Sequence, residues 1–348
     1  MSEMKKDIRA LSLAEIEAQL TEMGEAKFRG KQIYEWLWKH QAKDFDSMSN
    51  LSKSLREKLK EHFQILAVER SNFQHSNDGT IKNAFKLHDG HLVEGVLIPT
   101  DSRSTACISS QVGCSLTCAF CATGRLKRLR NITAAEIFDQ VALINEQSNE
   151  HLGRDLSNIV YMGMGEPLLN YREVLRSTEL ICSDEGLGWS AKRITVSTAG
   201  IAKMIKQLGD DMVKFNLALS LHAANDEKRS KIMPINDQNN LAALTEALEY
   251  YHAKTGNRVT YEYIIFNNFN DEIEDARELA NFCMKVPSKV NIIEYNPIDG
   301  GEFEQADPAK TDAFKDYLES RGVNTHIRRS RGKDIDAACG QLANKLKA

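Results

Sequence analysis

Apolar residues recur at helical spacing through the first 65 positions. Leu13, Ile16 and Leu20 lie three and four apart behind Ser12 and Glu15, which have capping-box spacing, so the pattern predicts a helix there. "GKQIYEWLWKH", starting at Gly30, predicts a second helix with Ile33, Trp36 and Leu37 on one face. In "LSKSLREKLKEHF", Leu51, Leu55, Leu59 and Phe63 recur every four residues and predict a third. Residues 1–65 read as a small helical domain. The period then falls to two. "IKNAFKL" (81–87) and "HLVEGVLI" (91–98) predict strands joined by the turn residues "HDG". Residues 66–100 read as a β-strand connecting segment.

From residue 101 short strand-like runs alternate with helical stretches. The strand candidates are "ACISSQ" (106–111), "NIVYM" (158–162), "RITVS" (193–197), "KFNLALSLH" (214–222), "VTYEYII" (259–265), "VNIIEY" (290–295) and "NTHIRR" (324–329). The helices between them include "TAAEIFDQVALINEQ", with Thr133 and Glu136 at capping-box spacing, and "LAALTEALEYYHAKTG", stopped by Gly256. Such alternation predicts βα units on a parallel sheet, an α/β fold. Six or seven units make a partial or complete barrel, with ligands at the C-terminal ends of the strands. Residues 101–348 form this larger domain.

Composition narrows the class. A chain of 348 residues has room for one large α/β domain and an appendage, or for two medium domains. No apolar run approaches the roughly 18 to 20 residues that span a bilayer. The N-terminus has neither the apolar core nor the small-residue cleavage site of a signal peptide, so a cytoplasmic protein is expected, with no membrane partner. There are seven cysteines, and a reducing compartment favours metal or redox roles for clustered ones over disulfides. Cys182 and Cys283, beside Ile181 and Phe282 in helical patterns, read as buried core thiols. The net charge of −4 excludes a wholly basic nucleic-acid surface. Two local basic runs remain: "GRLKRLRN", with Arg125, Lys127, Arg128 and Arg130, and "IRRSRGK", with Arg328, Arg329, Arg331 and Lys333.

Directly after the 106–111 strand, Cys114, Cys118 and Cys121 in "GCSLTCAFCATG" form C-x3-C-x2-C. Three close thiolates favour a soft metal centre. Three ligands suit a four-iron cluster that leaves one iron open to a substrate or cofactor. A structural zinc site needs a fourth ligand, borrowed from Cys107 or a more distant cysteine. With Phe120 just before its last cysteine, the motif resembles the radical S-adenosylmethionine (SAM) superfamily. That resemblance implies a partial (βα)6-type radical SAM barrel. It also implies a 4Fe-4S cluster on Cys114, Cys118 and Cys121, with SAM's methionine on the open iron and a 5′-deoxyadenosyl radical released when an electron splits the sulfonium.

Other strand ends then acquire expectations. Gly165 and Glu166 in "YMGMGEPLLN" offer backbone and carboxylate acceptors to SAM's ammonium group, although a tight strand-to-helix turn also explains the glycine. Ser197 in "STAG" is a candidate for the ribose hydroxyls. Ser220, Leu221 and His222 in "SLH" and Asn296 in "YNP" complete the expected cofactor-binding set. Taken alone, His222 reads as structural and Asn296 as a turn-starter before Pro297.

The whole chain resembles one family, the dual-specificity rRNA and tRNA adenine carbon-2 methyltransferases (the RlmN family). The match is carried by "CISSQVGCSLTCAFCATG", "VYMGMGEPLLN", "SLHAANDEKRSKIMPIN", "VTYEYIIFNNFND", "NIIEYNP" and "DIDAACGQL". The resemblance implies methylation of adenine carbon 2 in 23S rRNA at the peptidyl-transferase centre, and in tRNA at the adenosine 3′ of the anticodon. On this resemblance a first SAM would methylate Cys339, and a second would supply the radical that activates this S-methyl group for addition to adenine. Glu94 in "LVEGVLIP" matches the family's base for the carbon-2 proton, and Cys107 in "TACISSQ" matches the cysteine that releases the protein–RNA adduct by forming a disulfide. A buried Glu94 would have a raised pKa suited to that task; without the resemblance it reads as an exposed residue on an alternating strand. Cys339, nine residues from the end and flanked by Ala338 and Gly340, is expected on a mobile tail. The implied partners are 23S rRNA and tRNA, gripped by the N-terminal helices and the basic runs, and an electron donor such as flavodoxin or ferredoxin, with the chain a monomer. Two rival readings stand beside this one. An adenine carbon-8 methylase shares the cysteines but typically lacks the proline present here as Pro167. A non-enzymatic RNA-binding protein would hold a structural metal.

Overall fold

A computed structural model describes residues 5–345. The N-terminal unit comprises β1 (Lys6–Asp7), α1 (Leu13–Glu22), α2 (Arg29–Trp38), α3 (Lys53–His62) and β2 (Phe63–Gln64), which returns to pair in parallel with β1. α1 begins at the expected capping box, where the Glu15 carboxylate accepts from the Ser12 amide at 2.7 Å. Leu51, Leu55, Leu59 and Phe63 are all buried. α2 departs from expectation in one residue. Trp36 is only partly buried and donates to Asn50 at 2.6 Å, whereas Trp38 is fully buried. The reason is tertiary: the Trp38 ring meets Phe138 edge-on, 5.2 Å between centroids, so the barrel covers this second face.

Three antiparallel strands follow: β3 (Glu69–His75), β4 (Ile81–Lys86) and β5 (Leu92–Pro99), which pairs with β6 (Ser104–Cys107). β3 reads "ERSNFQH" and is almost wholly exposed, so no hydrophobic alternation marks it. The predicted run 106–111 breaks at Cys107, and β7 (Gln111–Val112) pairs instead with β8 (Arg130–Asn131), closing the base of the cysteine loop. The chain then alternates through α4 (Ala134–Leu152), β9 (Asn158–Tyr161), α5 (Tyr171–Cys182), β10 (Ile194–Thr198), α6 (Ala202–Asp210), β11 (Asn216–Ser220), α7 (Asp226–Ile232), α8 (Leu241–Thr255), β12 (Val259–Ile265), α9 (Ile273–Cys283), β13 (Ser288–Glu294), α10 (Pro308–Ser320) and β14 (Thr325–Arg328).

One ten-stranded sheet runs in the order β14-β13-β12-β11-β10-β9-β6-β5-β4-β3. β6 and β9 to β14 are parallel, and α4, α5, α6, α8, α9 and α10 carry the six crossovers of the partial barrel. β12 is buried at every position, as a parallel strand covered on both faces must be. β5, β4 and β3 extend the same sheet, so the segment 66–100 joins the barrel through hydrogen bonds as well as through the chain. Among the described residues no helix is long and apolar enough to cross a membrane.

Candidate active site

At the C-terminal ends of the parallel strands lies a cavity of about 850 Å³, counting its mouth, within the range of cofactor pockets. Cys114, Cys118, Cys121, Gly165, Glu166, Ser197, Ser220, His222 and Cys339 all line it. Glu94, Cys107, Leu221 and Asn296 do not. The Leu221 side chain is fully buried in the core, so only its backbone faces the strand end: its amide donates to the Glu262 carbonyl at 3.0 Å and its carbonyl accepts from Arg229 Nε at 3.1 Å.

Gly165 has φ +96°, and a Cβ there would stand 2.5 Å from the Gln111 Cβ, so both the turn and the close approach require glycine. It delivers Glu166 into the cavity wall. The Glu166 carboxylate is buried and accepts from the amides of Leu168 (3.0 Å) and Ala199 (2.7 Å). Burial raises its pKa against the pull of those donors. The hydroxyls of Ser197 and Ser220 face each other at 3.3 Å. His222 has a left-handed backbone, φ 58°, and its Nδ1 accepts from the Ile264 amide at 3.0 Å. The ring proton therefore sits on Nε2 by assignment from the hydrogen bond. Burial, aided by the Arg229 guanidinium, pulls the His222 pKa down to about 3, so the ring is neutral near pH 7. Phe120 meets it edge-on at 4.7 Å.

The three cysteines fit a cluster by the chemistry of the donor set. Burial pushes the Cys114 thiol up to about 11 and Cys118 higher still, and neighbouring thiols add to both shifts. Such a set ionises readily only against compensating metal charge. Among the described residues no three His, Cys, Asp or Glu side chains converge as a lone ion demands. A cluster asks something different, since each cysteine then binds its own iron.

Cys339 does not lie on a loose tail. Residues 332–345 form a strap that brings Cys339 and Gly340 to the cavity wall. The Ala122 amide donates to the Gly340 carbonyl (2.7 Å) and the Thr123 hydroxyl to the Leu342 carbonyl (2.6 Å). Gln341 Nε2 reaches the Pro297 carbonyl (3.0 Å), while Asn296 Nδ2 donates weakly to the Cys339 carbonyl (3.3 Å). Ala337, Ala338 and Leu342 are buried. The expectation of mobility came from small residues near a chain end. These same residues allow the strap to seat closely instead.

Cys107 and Cys339, the latter on the strap, both feel the Arg328 charge, and both are free thiols. Burial, reinforced by Cys339, pushes Cys107 up to about 12, and Arg328 acts against that shift. Burial likewise raises Cys339, against Arg328. Glu94 is fully buried on β5, not exposed, and its Oε2 accepts from the strap amides of Ala343 (2.9 Å) and Asn344 (3.1 Å).

Comparison with known proteins agrees with this architecture. Residues 6–65 match the family model described as ribosomal RNA large subunit methyltransferase N-terminal domain, and residues 108–280 match the radical SAM superfamily. The chain is 56% identical over 345 residues to a protein of Christiangramia forsetii named probable dual-specificity RNA methyltransferase RlmN, covering 99% of this chain and 98% of that one. It belongs to the RlmN family. A second relative of that name, from Cytophaga hutchinsonii, is 58% identical over 341 residues, covering 98% of this chain and 93% of the relative. The crystal structure of a radical SAM methyltransferase from Sphaerobacter thermophilus superposes with a TM-score of 0.91 at 38% identity, over 97% of this chain and 99% of that one. Membership in the radical SAM superfamily implies a 4Fe-4S cluster and SAM.

For an RlmN-family chain the most instructive residues are those that sequence reading missed. Glu262 lines the cavity and pairs with Arg328 at 3.1 Å, and it accepts from Asn291 at 2.8 Å. The available signal was a carboxylate inside the otherwise uncharged run "VTYEYII", where burial demands a partner. Gln111 holds Glu166 by accepting its amide at 2.9 Å. The basic runs are also reassigned. Arg328 pairs with Glu262, Arg329 and Lys333 with Glu294, and Arg331 with Asp78. Arg130 is held between Asp89 and Glu136, and Arg125 by the carbonyls of Asp299 and Gly300. Lys127 and Arg128 are exposed without a carboxylate partner among the described residues, and Arg125, Arg329 and Lys333 are exposed as well.

Proposed function

We propose that this chain methylates carbon 2 of adenine in 23S rRNA, at the peptidyl-transferase centre, and in tRNA, at the adenosine 3′ of the anticodon. The observation that carries the reading is the setting of Cys339: a half-buried thiol on the cavity wall, fastened to the loop that bears Cys114, Cys118 and Cys121. When bound on those three cysteines, the cluster supplies the electron that cleaves SAM. Gly165, Glu166, Ser197, Ser220, His222 and Asn296 hold and orient that SAM. The backbone at Leu221 braces the strand end, and neutral His222 offers an uncharged Nε2–H to the cavity.

Carbon 2 of adenine has no nucleophilic lone pair, so direct methyl transfer fails there. Cys339 takes the methyl group from one SAM by displacement, its thiol proton passing to solvent, and presents it for activation by a second. Glu94 accepts the carbon-2 proton, and Cys107 releases the product RNA through a disulfide with Cys339. The reading includes a monomeric, cytoplasmic enzyme served by an electron donor such as flavodoxin or ferredoxin. RNA contacts are left to the N-terminal helices and to exposed cations such as Lys127, because most of the basic runs are internally paired.

Nucleoside mass spectrometry of rRNA and tRNA from a deletion strain tests the assignment. The expected result is loss of 2-methyladenosine from both. Loss of 8-methyladenosine instead would overturn it in favour of the carbon-8 reaction. Colourless, iron-free protein after anaerobic purification would favour a non-enzymatic RNA-binding protein.

A further inference from the structure

A lysine is fully buried beside Glu94. Lys82 lies on β4, 1% exposed, in a position where lysine is almost never found unless paired. Its Nζ is 3.9 Å from Glu94 Oε1 and 3.5 Å from the Asp336 carbonyl on the strap. That Glu94 oxygen has no hydrogen-bond partner, while Oε2 is held by the strap amides of Ala343 and Asn344. One ammonium thus lies within ion-pair reach of the carboxylate and at the edge of hydrogen-bonding distance from the segment that carries Cys339.

We propose that Lys82 is a positioning residue for methyl transfer: it clamps the Glu94 carboxylate and the Asp336 backbone together, keeping Glu94 ready to accept a proton and the Cys339 strap seated until it has done so. The proposal rests on the reading of Glu94 as the base. A methionine would fill the same space without the cost of burying an ammonium, so packing alone does not account for a lysine here. Burial pulls the Lys82 pKa down, and Glu94 and Asp336 oppose that. The other groups facing Glu94 are few. Ser109 donates to its carbonyl at 2.6 Å, and the Met164 sulfur accepts its amide at 3.3 Å. On the strap, Asp336 and Lys345 pair with each other at 2.8 Å.

Once Glu94 takes up a proton it loses the charge that attracts Lys82 and the two amides, so proton removal and strap release are coupled.

The test compares Lys82→Met, Lys82→Arg and Glu94→Gln in the full-length, cluster-loaded enzyme, with an rRNA fragment as substrate. Lys82→Met should keep the methyl group on Cys339. It should turn over at least about ten-fold more slowly near pH 7, accumulate protein–RNA adduct, and show faster hydrogen exchange across the strap residues 334–345 with exchange elsewhere unchanged. Lys82→Arg should restore both turnover and strap protection. If Lys82→Met leaves strap exchange unmoved, or Arg does not rescue, the residue is merely structural and the proposal fails while Glu94 stands. Wild-type turnover by Glu94→Gln removes the base reading itself, and the proposal with it. Should Lys82→Met not fold, Lys82→Gln is read by the same turnover and strap exchange.

Discussion

The amide of Ala122 donates to the carbonyl of Gly340 at 2.7 Å, fastening the residue after Cys121 to the residue after Cys339. The cysteine loop and the methyl-carrying segment proposed for this chain are therefore one structural unit, although more than two hundred residues separate them. What disturbs the strap should disturb methylation without emptying the cluster site.

Gly340 gives the most direct check. Its φ is +84°, and a Cβ would stand 3.0 Å from the Phe120 carbonyl oxygen. Gly340→Ala should cost ~1–2 kcal/mol of backbone strain and lift the strap. We expect a lower thermal midpoint, faster hydrogen exchange across residues 334–345 and reduced methylation, with iron content unchanged. Unaltered exchange in the strap would contradict this account.

Cys107 and Cys339 separate by their products. Cys339→Ala should abolish RNA methylation, and the protein should carry no S-methyl group by intact mass. Cys107→Ala should form methylene-linked RNA and fail to release it, giving a covalent adduct visible on a denaturing gel. Free methylated RNA at wild-type yield from either variant would remove that cysteine from the mechanism.

His222 predicts a pH dependence of stability. Its ordinary pKa of 6.5 falls to about 3 in the folded chain. Between those values the unfolded chain binds a proton that the folded chain does not. The stabilisation is thus complete above 6.5 and is lost as pH falls toward 3, at ~1.4 kcal/mol per unit. His222→Asn keeps an acceptor for Ile264 and tolerates the left-handed backbone. It should flatten this part of the pH–stability curve, measured by denaturant unfolding. Parallel curves for the two proteins would show that His222 does not titrate as described.

Trp38 tests how the N-terminal unit is attached. Its edge contact with Phe138 ties α2 to the barrel, and both rings are buried. Trp38→Ala should cost ~3–5 kcal/mol and loosen the unit. RNA affinity should fall more than RNA-independent SAM cleavage does. Equal losses in both would mean that the contact supports the barrel rather than RNA binding.

Local pattern alone determined much of this protein. Hydrophobic period and capping residues mark α1, α3, α4 and α8, and apolar runs mark most of the parallel strands. The spacing of Cys114, Cys118 and Cys121, and the glycine at 165, are equally legible, because backbone and ligand chemistry act within a few residues. Tertiary structure decided the rest. It chose Trp38 over Trp36, because period reveals an apolar face but not what covers it. It made a strand of the polar segment 69–75, because an edge needs only backbone hydrogen bonds. It drew five of the eight basic residues into ion pairs with Glu262, Glu294, Asp78, Asp89 and Glu136, which the local sequence does not reveal. Above all it seated the Cys339 strap on Ala122, Thr123 and Glu94. Those contacts join residues remote in the chain, and only the folded partial barrel brings them within hydrogen-bonding distance.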